Sequence, residues 1–96
     1  MITVTAPVWI WNAEKGSWHF VTVPAEQAAE IRVQSTGVSS GFGSVPVEAR
    51  IDDMGWRTSL FPDRKSGGYL LPIKADVRRR AGVGAGDLVE VQLQLL

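Results

Sequence analysis

Residues 45–51 place Val45, Val47, Ala49 and Ile51 at every second position, with Pro46, Glu48 and Arg50 between them. A period of two sends one set of side chains to each face of an extended chain, so the segment suits a strand buried on one side. Val89, Val91, Leu93 and Leu95 alternate with Glu90, Gln92 and Gln94 in the same way. Residues 18–23 are aromatic and β-branched throughout, which predicts a strand covered on both faces. Residues 4–11, 56–61 and 69–73 bring the expected number of strands to about six. Turn residues separate them at 12–16, 53–55 and 62–68. Pro7 and Pro46 each remove a ladder donor, so both are expected at an edge or a strand start. With 96 residues, such a chain buries only roughly 60–65 % of its unfolded surface. The strands must therefore enclose one small core.

Two short helices interrupt the strands. Pro24 suits the first position of a helix running to about Val33, with Glu26 in its first turn. The second helix is expected over 74–81, with Asp76 early, Arg78, Arg79 and Arg80 late, and Gly82 as a left-handed cap. Residues 34–43 form the longest expected loop.

The two halves resemble one another. Phe20, Val21, Val23, Ala25 and Glu26 correspond, fifty residues on, to Leu70, Leu71, Ile73, Ala75 and Asp76. Each half reads as strand, short helix, glycine-containing turn, strand. One such unit cannot bury both faces of its strands, whereas two related by a pseudo-dyad close a small barrel. The fold class expected from the residues is all-β: a small closed barrel of about six strands with two short helices and two pseudo-repeated halves, spanning 1–96.

Composition narrows the function. With no cysteine and one histidine, the chain has no thiolate site, no disulfide scaffold and no histidine-rich metal site. No serine sits in a nucleophile-elbow motif, and on its strand His19 reads as a structural side chain. Asp52 and Asp53 are adjacent and suit a turn rather than a carboxylate pair. The run Gly82-Val83-Gly84-Ala85-Gly86-Asp87 follows a helix and enters a strand, the reverse of a phosphate-binding loop. It reads as a cap and turn, with Asp87 bonded to the turn backbone. No catalytic residue, metal or cofactor is expected. The opening residues 1–7 have no basic region leading into an apolar stretch, and no apolar run approaches the ~20 residues of a membrane span. The expected setting is cytoplasmic, without a membrane partner.

Net charge is zero, with ten basic and ten acidic residues, but it is unevenly divided. Residues 1–56 hold three basic and six acidic side chains, −3; residues 57–96 hold seven and four, +3. Arg78, Arg79 and Arg80 spread over roughly 200° of a helix, too wide for one groove. Arg78 is expected to be structural, paired with an acid such as Asp87; Arg79 and Arg80 suit a solvated helix end. Trp9, Trp11, Trp18 and Trp56 are expected to fill the core, because a small barrel gains most from burying large rings. The competing reading is an aromatic pocket with Arg57 and Ser59 as polar handles.

Several strings in order carry a family resemblance: Trp18-His19-Phe20-Val21-Thr22-Val23-Pro24, Gly41-Phe42-Gly43-Ser44-Val45-Pro46-Val47, Trp56-Arg57-Thr58-Ser59-Leu60-Phe61-Pro62, Tyr69-Leu70-Leu71-Pro72-Ile73-Lys74 and Gly86-Asp87-Leu88-Val89-Glu90-Val91. They resemble the bacterial domain of unknown function numbered nineteen hundred and five, over about residues 8–95. The resemblance implies a double-split β-barrel and no established activity. The last third, with Leu71-Pro72-Ile73, Val77-Arg78 and Gly86-Asp87-Leu88-Val89, is more distantly similar to the AbrB and MazE swapped-hairpin proteins, which build a barrel from two chains and bind DNA. Two functions follow. The first is a non-enzymatic binding or interaction module for a protein or small ligand, with Arg57, Ser59, Lys74 and Arg78 lining its groove. The alternative is an AbrB-like DNA-binding protein using Arg64, Lys65, Arg79 and Arg80 together with Arg78. With both halves in one chain the expected state is a monomer, and the alternative a dimer.

Overall fold

The structure, a computed structural model, describes residues 1–14, 16–35 and 43–96. Its elements are β1 (Ile2–Ala13), β2 (Gly16–Val23), α1 (Ala25–Gln34), β3 (Val45–Ile51), β4 (Met54–Asp63), β5 (Gly68–Pro72), α2 (Ala75–Ala81) and β6 (Leu88–Leu95). The strands close into an antiparallel barrel in the order β1-β2-β5-β4-β3-β6. Exchanging β1 with β4, β2 with β5 and β3 with β6 returns the same ring, which is the pseudo-dyad expected from the repeat.

The two long strands create the closure by changing partners. β1 pairs with β6 over Ile2 to Pro7 and with β2 from Val8 onward. β4 pairs with β3 from Met54 to Leu60 and with β5 from Phe61 to Asp63. Pro7 therefore lies neither at an edge nor at a strand start but at the hand-over, where its missing N–H is tolerated. Pro62 sits just past the corresponding hand-over in β4. Pro46 is the second residue of β3, before pairing with β6 begins at Val47.

The interior is aliphatic apart from Tyr69. Val4, Val8, Val21, Val23, Val45, Val47, Leu60, Leu71, Ile73, Val91 and Leu93 are essentially inaccessible, with Ala28 and Ile31 of α1 and Val77 of α2 closing over them. No tryptophan belongs to this buried core, so the expectation of indole filling is overturned. Six strands enclose a narrow space in which branched aliphatic side chains interdigitate. Inward parity on β1 and β2 belongs to Ile2, Val4, Val8, Val21 and Val23, which leaves Trp9, Trp11 and Trp18 on the outer face. Trp56 alone packs partly against the core. For the same reason β2 is covered on one face only, and Trp18 is 58 % exposed.

Local chemistry sets the ends. The β3–β4 hairpin turns at Asp52 and Asp53, one residue earlier than expected, and Met54 and Gly55 already pair in the strand. Asp52 takes a φ of 51°, a left-handed conformation that aspartate tolerates better than most residues. Pro24 and Lys74 are extended N-caps one residue before α1 and α2. Gly82 ends α2 at φ 71°, and the N–H groups of Gly82 and Val83 both donate to the Arg78 carbonyl. The Asp87 carboxylate accepts from the Gly84 N–H at 2.8 Å, as expected of the turn. The expected loop over 34–43 falls mostly outside the described residues, as do Gly41 and Phe42. No helix among the described residues is long and apolar enough to cross a membrane.

Gly68 is the tightest point. A Cβ there would lie 1.8 Å from the Val23 carbonyl oxygen, and backbone cannot move aside as a side-chain tip can. Gly68→Ala should cost about 3 kcal/mol, the upper range of overpacking. Gly82→Ala meets no neighbour within 4 Å among the described residues and should cost about 1–2 kcal/mol for the left-handed conformation alone. Urea unfolding of both variants checks the order; equal losses would place the close approach elsewhere.

Candidate functional site

β5 is only five residues long, and its two neighbours part company at its end. β2 follows β5 to Phe20↔Pro72, whereas β4 leaves it at Phe61↔Leu70. Beyond those pairs the first halves of β2 and β4 diverge, and residues 73–75 with α2 enter the split. A groove of about 1120 Å³ occupies it. Arg57, Ser59, Lys74 and Arg78, the four residues expected to share a groove, all line it. Around them stand Trp11, Trp18, Phe20, Phe61, Leu70 and Pro72.

Strand parity explains this gathering. On β4 the buried Leu60 fixes the inner face, so Arg57, Ser59 and Phe61 share the outer one. On β2 the buried Val21 and Val23 put Trp18 and Phe20 outside, and on β5 Leu71 does the same for Leu70 and Pro72. Trp9 continues the aromatic surface: its ring lies 5.2 Å from that of Phe20, and its Nε1 donates to Thr22 Oγ1 at 2.8 Å. Phe20, Phe61 and Leu70 were not singled out from the sequence as groove residues. Their signal was present, since Phe61 shares the parity of Arg57 and Ser59, and Phe20 that of Trp18.

The inner wall of the groove is held by a short relay. Arg78 donates to the Ile73 carbonyl at 2.7 Å, and the Ile73 N–H donates to the His19 carbonyl at 2.9 Å. Arg78 is thus structural, but its partner is a backbone carbonyl rather than Asp87, whose carboxylate serves the turn at Gly84. His19 is half-buried beside it, and its Nδ1 is enclosed without a hydrogen-bond partner among the described residues. Burial first, and the Arg78 guanidinium second, hold the imidazole below its ordinary value of 6.5.

The residues expected for DNA contact do not converge. Arg64 and Lys65 lie in the β4–β5 turn, where Asp63 accepts from Ser66 Oγ at 2.7 Å and from the Lys65 and Ser66 N–H groups. The Ser66 hydroxyl is the largest cause of a lowered Asp63 pKa, opposed by partial burial and helped by those two N–H groups and the Lys65 charge. Arg80 lies at the opposite end of β4, beside Asp52 and Asp53, up to about 30 Å away along the strand at the usual rise per residue. Arg79 is exposed on α2. Acids accompany the cations at both ends, and none of Arg64, Lys65, Arg79 and Arg80 lines the groove.

His19 is the only histidine, so its titration is readily followed. With the folded pKa below the unfolded one, the unfolded chain takes up the proton first. The neutral imidazole therefore favours folding above about pH 6.5, and that contribution is lost as the pH falls toward the folded value. Proton NMR should show His19 titrating below 6.5, and Arg78→Ala should raise its pKa while leaving the burial effect in place. An unchanged midpoint in the variant would remove Arg78 from the imidazole's surroundings.

A family model described as Domain of unknown function (DUF1905) matches residues 5–93. No curated protein matches the chain. The matched span begins in β1 and ends in β6, taking in both halves of the barrel and every residue of the groove except Leu96. The chain belongs to the Domain of unknown function (DUF1905) family.

Proposed function

We propose that this protein is a non-enzymatic binding module whose ligand seats in the split between β2 and β4. The observation that carries the reading is the convergence of four exposed or half-buried polar side chains and an aromatic wall on one open groove. Binding sites are characteristically concave, mostly apolar and provided with a few convergent polar groups. Arg57, Ser59 and Lys74 supply hydrogen-bond donors, and Trp18, Phe20 and Phe61 supply flat apolar surface. Among the described residues the groove includes one imidazole and no carboxylate side chain to orient it, so the lining favours recognition over acid–base chemistry.

Trp18 and Phe61 are 58 % and 47 % exposed, more than packing the barrel requires. A library of small organic fragments, screened by amide chemical-shift mapping, should give hits whose shifts cluster on residues 17–20, 57–61 and 72–75. Trp18→Ala and Phe61→Ala should each weaken such a hit about tenfold, while changing unfolding stability by no more than about 0.5 kcal/mol. Hits that map elsewhere, or affinities indifferent to both substitutions, would refute the reading.

A further inference from the structure

The groove has a polarity along its length. Phe61 pairs with Leu70 in the β4–β5 register, and the same register carried past the end of β5 sets Arg57 at the level of Lys74. Arg57, Ser59, Lys74 and Arg78 therefore gather where the strands part, and Phe61, Leu70 and Phe20 lie where they still pair. Among the described residues, three of the lining side chains are cations and none is acidic. The nearest acid by register is Glu48, opposite Arg57 on β3, and it is not part of the lining. Arg78 already has one guanidinium nitrogen on the Ile73 carbonyl, which leaves Arg57 and Lys74 as the exposed, adaptable pair.

We propose that the groove takes an aromatic carboxylate, its anion between Arg57 and Lys74 and its ring against Trp18, Phe20 and Phe61. The proposal rests on the reading of the groove as a ligand site. Charge complementarity selects the anion: a carboxylate meets a guanidinium fork and an ammonium, with the Ser59 hydroxyl as a further donor. The apolar wall selects a flat body, since aromatic faces stack on one another at little conformational cost. A nucleic-acid strand fits less well, because it needs a continuous track of cations beside its stacked bases. Here the hollow beyond the apolar end holds Asp63 as well as Lys65.

Three probes of one shape separate the questions: 2-naphthoate, 2-naphthylmethanol and 2-naphthylmethylammonium, titrated into the intact chain by calorimetry with amide shift mapping. Naphthoate should bind about tenfold more tightly than the alcohol, the ammonium should bind most weakly, and shifts should centre on residues 57–61 and 72–75. Arg57→Gln with Lys74→Gln should erase the preference of the groove for naphthoate over the alcohol. Lys74→Arg should keep the preference, which guards against a folding defect in the double variant. If the alcohol matches naphthoate in the same groove, the anion proposal falls and the ligand groove stands. If no probe shifts these residues, both fall. Stronger binding of a short thymidine oligonucleotide than of naphthoate would overturn the proposal in favour of a single strand.

Discussion

The exchange of hydrogen-bond partners along β1 and β4 is the constraint on which the rest of this structure depends. A strand that serves one neighbour with its first half and another with its second must bend between them. Two such strands, placed opposite one another, turn a six-stranded sheet back onto itself. The aliphatic interior, the outward aromatic side chains and the positions of Pro7 and Pro62 follow from that bend. So does the groove: where a long strand leaves a short one, the sheet opens.

The pseudo-dyad makes this opening instructive, because the fold contains its counterpart. Gly68 is the equivalent of Trp18, and Tyr69 that of His19. At Gly68 the chain passes so near the Val23–Pro24 backbone that no side chain fits. Tyr69 is buried with the Arg32 guanidinium 6.0 Å over its ring, and Gln27 Nε2 of α1 donates to the Thr3 carbonyl. That half is sewn shut. At the equivalent place in the other half, an indole stands outside the barrel and the split remains open. One architecture thus provides a sealed copy and an accessible one, and the difference lies in a few side chains rather than in topology.

Much of this was legible in the sequence. The alternation at 45–51 and 88–95, the fifty-residue repeat and the glycine after Arg78-Arg79-Arg80 give the strands, the dyad and the helix end on local grounds. Arg57, Ser59, Lys74 and Arg78 could be named as polar side chains in or beside the family-like strings that also carry the aromatic residues, although Arg57 and Ser59 lie within β4 rather than at its end. The tryptophans were misread because burial energy alone favours large rings inside, whereas the bore of this six-stranded barrel is filled mainly by branched aliphatic chains. The parity of Val21 and Val23 against Trp18 and Phe20 already contained the answer. The hand-over at Pro7 was not readable, since a strand with two successive partners looks in sequence like any other strand with a proline in it.

The ring of strands also dictates an order of events. Four of the six ladders, β1–β6, β2–β5, β3–β4 and β3–β6, join one half of the chain to the other. Within the first half β1 has only β2 to pair with, so a nascent chain emerging from a ribosome holds one hairpin and a helix until the second half arrives. The first strand completes its ladder only with the last. Such non-local pairing slows folding relative to a helical chain of equal length. It also ties both ends into a single cooperative unit, so that fraying at the amino terminus and at the carboxyl terminus is one process.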